Sequence, residues 1–223
     1  MKPGHAQPRA VGRIAVPRDD VSVATWRWAQ RSLPNYLLTH SVRAYCWGAE
    51  IAAGEGWEFD RQILWTASLM HDYALGRIPR NTMCFEVEGG EIARRFLERV
   101  GLDPESADRA AIAIILHMRA GVTLADGVES VLLDRATGLD VRGDGYELVD
   151  GVRSEVMSEY PRGAFDGYFL RAIEREVELR PGCESARLLA DDLASWMARS
   201  PWRTYPNGSG LRDDFRARGR RSV

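Results

Sequence analysis

Apolar residues recur along this chain at three- and four-residue intervals, and no stretch shows the sustained alternation of a half-buried strand. From Pro34 to Ala53 the positions Leu37, Ala44, Cys46, Trp47 and Ile51 make a broad stripe bordered by His40 and Ser41. That stripe predicts a helix with Ser32 as its cap, Pro34 in its first turn and Gly54 and Gly56 at its end. Asp60 is the predicted cap of a second helix through Ile63, Leu64, Ala67, Met70 and His71. Tyr73 to Cys84, with Gly76, Pro79 and Asn81, reads as loop. A third helix over 87–100 places Ile92, Phe96 and Val100 at four-residue spacing and stops at Gly101. Asp103-Pro104-Glu105 opens the next, which is apolar nearly all round from Ala110 to Met118 and so predicts a buried, central helix. Further helices are predicted over 128–139, over 165–179, and over 184–199, where Pro201 ends the run.

The pattern gives an all-α fold, a single-domain helical bundle. Residues 1–20, with Pro3, Pro8 and Pro17 and scattered charge, read as a flexible arm, and order is expected to begin between Val21 and Trp28. The helical domain is assigned to 21–202 and a basic, solvated tail to 203–223. A core in a chain of 223 residues buries roughly 70% of the unfolded surface, so folding needs no staple. Apolar residues at 45% and charged ones at 28% fit an ordinary globular protein.

A formal charge of −2 gives no general attraction to nucleic acid or anionic membrane. No apolar run approaches the ~18 residues of a membrane span, and the N-terminus lacks a secretory apolar region. The 3 cysteines, Cys46, Cys84 and Cys183, are odd in number and show no C-x-x-C spacing. This argues against a disulfide framework and against a cysteine zinc site. Cys46 and Cys84 read as small core hydrophobes, and a reducing cytoplasm is the expected compartment. The expected partner is a small-molecule substrate, with no nucleic acid and no membrane; a homo-oligomer is left open.

Candidate chemistry changes the picture at a few positions. Of the 4 histidines, His5 lies in the arm, whereas His40, His71 and His117 fall on faces predicted to be buried or half-buried. Asp72 follows His71 in an otherwise apolar setting, and Asp140 closes the helix that ends Gly138-Leu139. A buried carboxylate is costly unless paired or metal-bound, and a buried imidazole needs a partner for each nitrogen. Convergence on one cation satisfies all of them at once. Imidazole and carboxylate donors suit zinc first, and iron, manganese or cobalt also; they do not suit calcium. Taken singly, each of these residues also has a purely structural reading.

The order His40, His71-Asp72, Asp140 resembles the HD-domain superfamily of metal-dependent hydrolases. The segments Leu37 to Tyr45, Ala67 to Asp72, Cys84 to Ala93, Ala113 to His117 and Gly138 to Val141 look like its cyanamide hydratase-like branch. Tyr160-Pro161-Arg162 and Arg180-Pro181-Gly182 look like that branch too. The chain departs from it after Asp72, where Tyr73-Ala74-Leu75-Gly76 replaces a shorter glycine turn.

The resemblance implies one divalent metal held by His40, His71, Asp72 and Asp140, with His117 beside it. Water bound to such an ion has a pKa lowered toward about 7, and addition of that water to a nitrile or cyanamide carbon gives the hydrated product. His117 or the conjugate acid of Asp72 then protonates the developing nitrogen anion, and Glu86 orients substrate or a ligand histidine. The runner-up is a phosphohydrolase acting on a nucleotide or other small phosphate ester, which needs cationic clamps. Arg43, Arg77 and Arg80 are the candidate substrate-binding residues for that role. A two-iron oxidative site and a structural metal in a non-catalytic helical protein are further alternatives.

Overall fold

The computed structural model describes residues 6–78 and 82–205. A two-stranded antiparallel hairpin opens it, β1 (Ala10–Val11) against β2 (Ile14–Ala15), with Val11 opposite Ile14. The helices that follow are α1 (Asp20–Ser32), α2 (Asn35–Glu55), α3 (Arg61–Met70), α4 (Phe85–Arg99), α5 (Pro104–Leu116), α6 (Val128–Arg142), α7 (Arg153–Glu159), α8 (Phe165–Leu179), α9 (Glu184–Ala190) and α10 (Leu193–Arg199). The fold is all-α, as the periodicity implies. No described helix is long and apolar enough to cross a membrane.

The local signals act largely where the sequence puts them. Asp60 caps α3 by accepting the amides of Gln62 and Ile63, and Asp103 caps α5 through Ser106 N, each meeting helix-end donors that have no partner within the helix. Gly56 and Gly143 end α2 and α6 in the left-handed conformation. Pro34, expected inside the first turn of α2, is its N-cap, because Ser32 ends α1 instead. α2 runs through the middle, packed on α3 and α6, and α4 lies along α5. Gly90 permits that last approach: a Cβ there would sit 3.0 Å from the Ala111 carbonyl and 2.7 Å from Ile115 Cγ1.

Several expectations are corrected. Residues 9–18 are not a free arm: Val11, Ile14 and Val16 are buried in the core, and Tyr45 Oη donates to the Ala15 carbonyl at 2.7 Å. Of the expected basic tail only 203–205 are described, within and just after a 3-10 turn (Pro201–Thr204) in which Trp202 is buried; the remainder, like residues 1–5 and Arg80, lies outside the described residues. The helix expected over 184–199 is two short ones. Asp192 stands between them at φ 66°, a left-handed conformation that aspartate tolerates better than most residues.

The cysteines depart furthest from expectation. Cys84 and Cys183 form a disulfide across a sequence separation of 99, and Cys46 is buried and free. The bond joins the residues that cap α4 and α9. Tertiary packing alone brings these two positions together, and no local spacing announces it.

Candidate metal centre

Two of the three site histidines are placed by the same local device. His71 is the C-cap of α3 and His117 the C-cap of α5. Carbonyls of a last helical turn have no amide of their own helix to accept. Each ring turns back to one of them through Nδ1, His71 to Ser68 O at 2.8 Å and His117 to Ile114 O at 2.6 Å. An Nδ1–H donating to a carbonyl leaves the lone pair on Nε2, facing away from the helix.

His40 reaches the same tautomer by another route. It lies on α2, its ring stacked on Phe165 at 4.9 Å between centroids, and its Nδ1 is 2.7 Å from Asp140 Oδ2. Nε2 therefore carries the lone pair here as well, and it sits 3.1 Å from Nε2 of His71. Two acceptor nitrogens at that distance repel unless a proton or a cation lies between them. Asp72 Oδ2 completes a triangle at 3.2 Å from His71 Nε2 and 3.6 Å from His40 Nε2, and no hydrogen-bond donor satisfies it. Ligand atoms about 2.0–2.1 Å from a tetrahedral zinc stand roughly 3.3 Å apart, so the edges of the triangle fit such an ion. His40, His71 and Asp72 form the cluster with geometry to hold a metal among the described residues.

Asp140, expected as a fourth ligand, stands behind His40. Its Oδ1 accepts from Arg43 Nε and Trp47 Nε1, each at 2.8 Å, and its Oδ2 from Arg43 Nη2 at 2.8 Å as well as from His40. Arg162 adds an ion pair at 3.3 Å. With both oxygens occupied, Asp140 braces His40 from behind and lies outside the cluster of candidate ligands. Burial pushes its carboxyl pKa up, but Arg43 and Arg162 outweigh that and hold it well below the usual range. Asp72 is likewise held low: burial opposes ionisation, and His71, His117 and His40 overcome it. Burial also dominates at His40 and lowers it despite Asp140. At His117 the pairing with Asp72 prevails over burial and raises it. His117 Nε2 lies 3.7 Å from Asp72 Oδ1, outside the triad of candidate ligand atoms.

Of the arginines expected to bind substrate, Arg43 and Arg77 are engaged elsewhere, and Arg80 lies outside the described residues. Arg43 is wholly buried, bidentate on Asp140 and bonded to the carbonyls of Tyr160 and Pro161 at 3.3 Å. Arg77 donates to the Ser32 carbonyl and lies over the Tyr73 ring at 4.2 Å. Glu86 is buried and its pKa is raised by burial; neither oxygen has a hydrogen-bond partner beyond its own amide. Its neighbour Phe85 lines the cavity beside the triad, and Glu86 does not.

That cavity, of about 630 Å³, opens onto His40, His71, Asp72 and His117. Asp134 of α6 also lines it and passed unnoticed in the sequence; burial pushes its carboxyl up to about 6. Arg162 and Arg180, the basic residues of the two Pro-containing motifs, prove to be buried anchors. Arg180 joins Glu88 of α4 to Glu176 of α8 at 2.5 Å each, and Glu176 also accepts the Gly76 amide at 2.9 Å, which ties down the turn after Asp72.

Paired histidines and an aspartate under a cavity in a helical bundle make a cluster that could hold a divalent metal. Residues 37–143, the stretch that carries the triad, His117 and Asp140, match the HD domain family. Among curated relatives, cyanamide hydratase DDI2 and cyanamide hydratase DDI3 of Saccharomyces cerevisiae are each 26% identical over 195 residues, spanning 84% of this chain and 85% of the relative.

Proposed function

We propose that the chain holds one divalent ion, zinc in the first instance, on Nε2 of His40, Nε2 of His71 and Asp72 Oδ2, and hydrates a nitrile- or cyanamide-like carbon there. The observation that carries the metal is the pair of facing acceptor nitrogens beside an unsatisfied buried carboxylate oxygen. An ion bound at this triad supplies Lewis acidity, lowering the pKa of water toward about 7. The residues of the chain do the rest. Asp140 and the Ser68 carbonyl fix the tautomers of the two histidines, which sets where their lone pairs point. His117 lies in the cavity wall with its Nδ1–H already committed and its pKa raised by the pairing with Asp72. It would act as the imidazolium, passing its Nε2 proton to a developing nitrogen anion and leaving the neutral Nδ1–H ring.

Hydration is favoured over phosphate-ester hydrolysis by the fate of the expected clamps. Of the three expected clamps, Arg43 and Arg77 are committed to Asp140 and to Ser32 with Tyr73, and Arg80 lies outside the described residues. The arginines that do line the cavity serve a substrate's anion and not a transferring phosphoryl group in this reading. The relatives named as cyanamide hydratases support the same choice.

The test pairs metal analysis with a substrate panel. Wild type should carry close to one ion per chain, and His71→Ala and Asp72→Ala should carry almost none; full occupancy in both variants removes the basis of the proposal. Incubated with cyanamide or simple nitriles, the purified protein should accumulate urea or amides. Release of phosphate from nucleotides, with every nitrile untouched, overturns the hydration reading.

A further inference from the structure

The cavity is large for the smallest substrates of this chemistry. A molecule the size of cyanamide occupies roughly twice the ~30 Å³ share of one water, about a tenth of the 630 Å³ present. Cavities in the range of roughly 300–1,000 Å³ take ligands of drug size.

Its lining combines apolar and charged residues. Beyond the triad its apolar members include Met118, Val141, Ile173, Leu188, Leu193 and Trp196. The same lining holds the guanidiniums of Arg119, Arg142, Arg187 and Arg199, against the carboxylates of Asp134 and Asp144. Arg187 is bracketed by Glu184 and Asp191. Arg142 meets Asp144 on one edge and lies over the Trp196 ring, 5.8 Å from its centroid. Arg199 follows Trp196 by one turn of α10, hence on the same face, and spends one nitrogen on the Ser195 hydroxyl. Neither Arg119 nor Arg199 has a carboxylate within ion-pair distance among the described residues.

We infer that the reactive nitrile- or cyanamide-like group is carried on an aryl or alkyl anion. Its carboxylate or phosphate is taken by Arg142 and Arg199, and its body packs on Trp196 and Leu193. This rests on the proposed hydration reading, since the reacting end is placed at the triad. The planar fork of arginine matches either anion with parallel hydrogen bonds, and an apolar wall beside it suits a substrate with both characters.

Calorimetric titration of the zinc-loaded protein with benzoate, phenyl phosphate and neutral benzamide tests the assignment. The better anion should bind about tenfold more tightly than benzamide, the effect of one charge-assisted contact. Arg142→Gln/Arg199→Gln should abolish that preference. Arg199→Gln alone, at an exposed position, should reduce it and serves if the double variant does not fold. Tighter benzoate identifies a carboxylate and tighter phenyl phosphate a phosphate ester, and either supports the inference. Equal binding of anions and benzamide overturns it. So does a preference that survives the arginine variants, because the anion then sits on the metal. An arginine-dependent preference in a protein that hydrates no nitrile sinks the hydration reading alone; urea formation from cyanamide without any anion preference sinks only this one.

Discussion

Asp140 shows what a buried acid in a sequence does and does not disclose. A ligand and a residue that orients a ligand leave the same trace, an aspartate in an apolar helix, and the resemblance made it a ligand. In the structure Arg43, Trp47, Arg162 and His40 all engage its two oxygens, the arrangement of a residue that orients a ligand. His40, His71 and Asp72 were legible because each interrupts an apolar face. Arg43, a turn from His40, is open in the sequence to either a substrate or an acidic partner, because a helix position does not say which way its charge faces. The partner in the structure is Asp140. Asp140→Asn keeps the shape but presents an amide where His40 needs a strong acceptor. Metal affinity, followed by competition with a chelator, should fall about 10- to 100-fold, the usual effect of losing such a partner. An unchanged affinity would mean that His40 finds its tautomer without help.

The helices themselves were legible nearly to the residue wherever a cap stood at a turn, as at Asp60 and Asp103. α9 and α10 were read as one helix because their apolar residues keep register through Asp191-Asp192, and only backbone geometry reveals the break. These two short helices supply Arg187, Leu188, Leu193, Trp196 and Arg199 to the cavity wall. The Cys84–Cys183 bond fastens the start of α9 to the start of α4, the helix that brings Phe85 to the site. Closing a loop of that length is worth up to about 4.7 kcal/mol in the chain-entropy account. Cys183→Ser should therefore lower stability in denaturant unfolding by about 2–5 kcal/mol, and a reductant should bring wild type down to the variant. Coincident curves for wild type and variant under oxidising conditions would show that the bond does not form in solution.

How the hairpin joins the helices is a matter of the entire chain, and no local pattern in its first twenty residues predicts it. Prolines and scattered charge there look like an unstructured arm, because short strands of two residues carry no periodicity. Distant partners attach the hairpin. Gly12 and Arg13 donate backbone amides to Glu159 and Glu155 of α7 at 2.8 and 2.9 Å, and Tyr45 of α2 reaches Ala15. Between those bonds Val11 and Ile14 are buried. Side chains on a free arm tolerate truncation, with changes within roughly ±0.5 kcal/mol. A buried isoleucine reduced to alanine loses about 2 kcal/mol or more, which in a domain of this size moves Tm by about 2–4 °C for each kcal/mol. Ile14→Ala should thus unfold several degrees below wild type with its metal content unchanged, since the hairpin contributes no residue to the triad or its cavity. A melting curve superimposable on wild type would return residues 9–18 to the status of a free arm and leave the described domain beginning at α1.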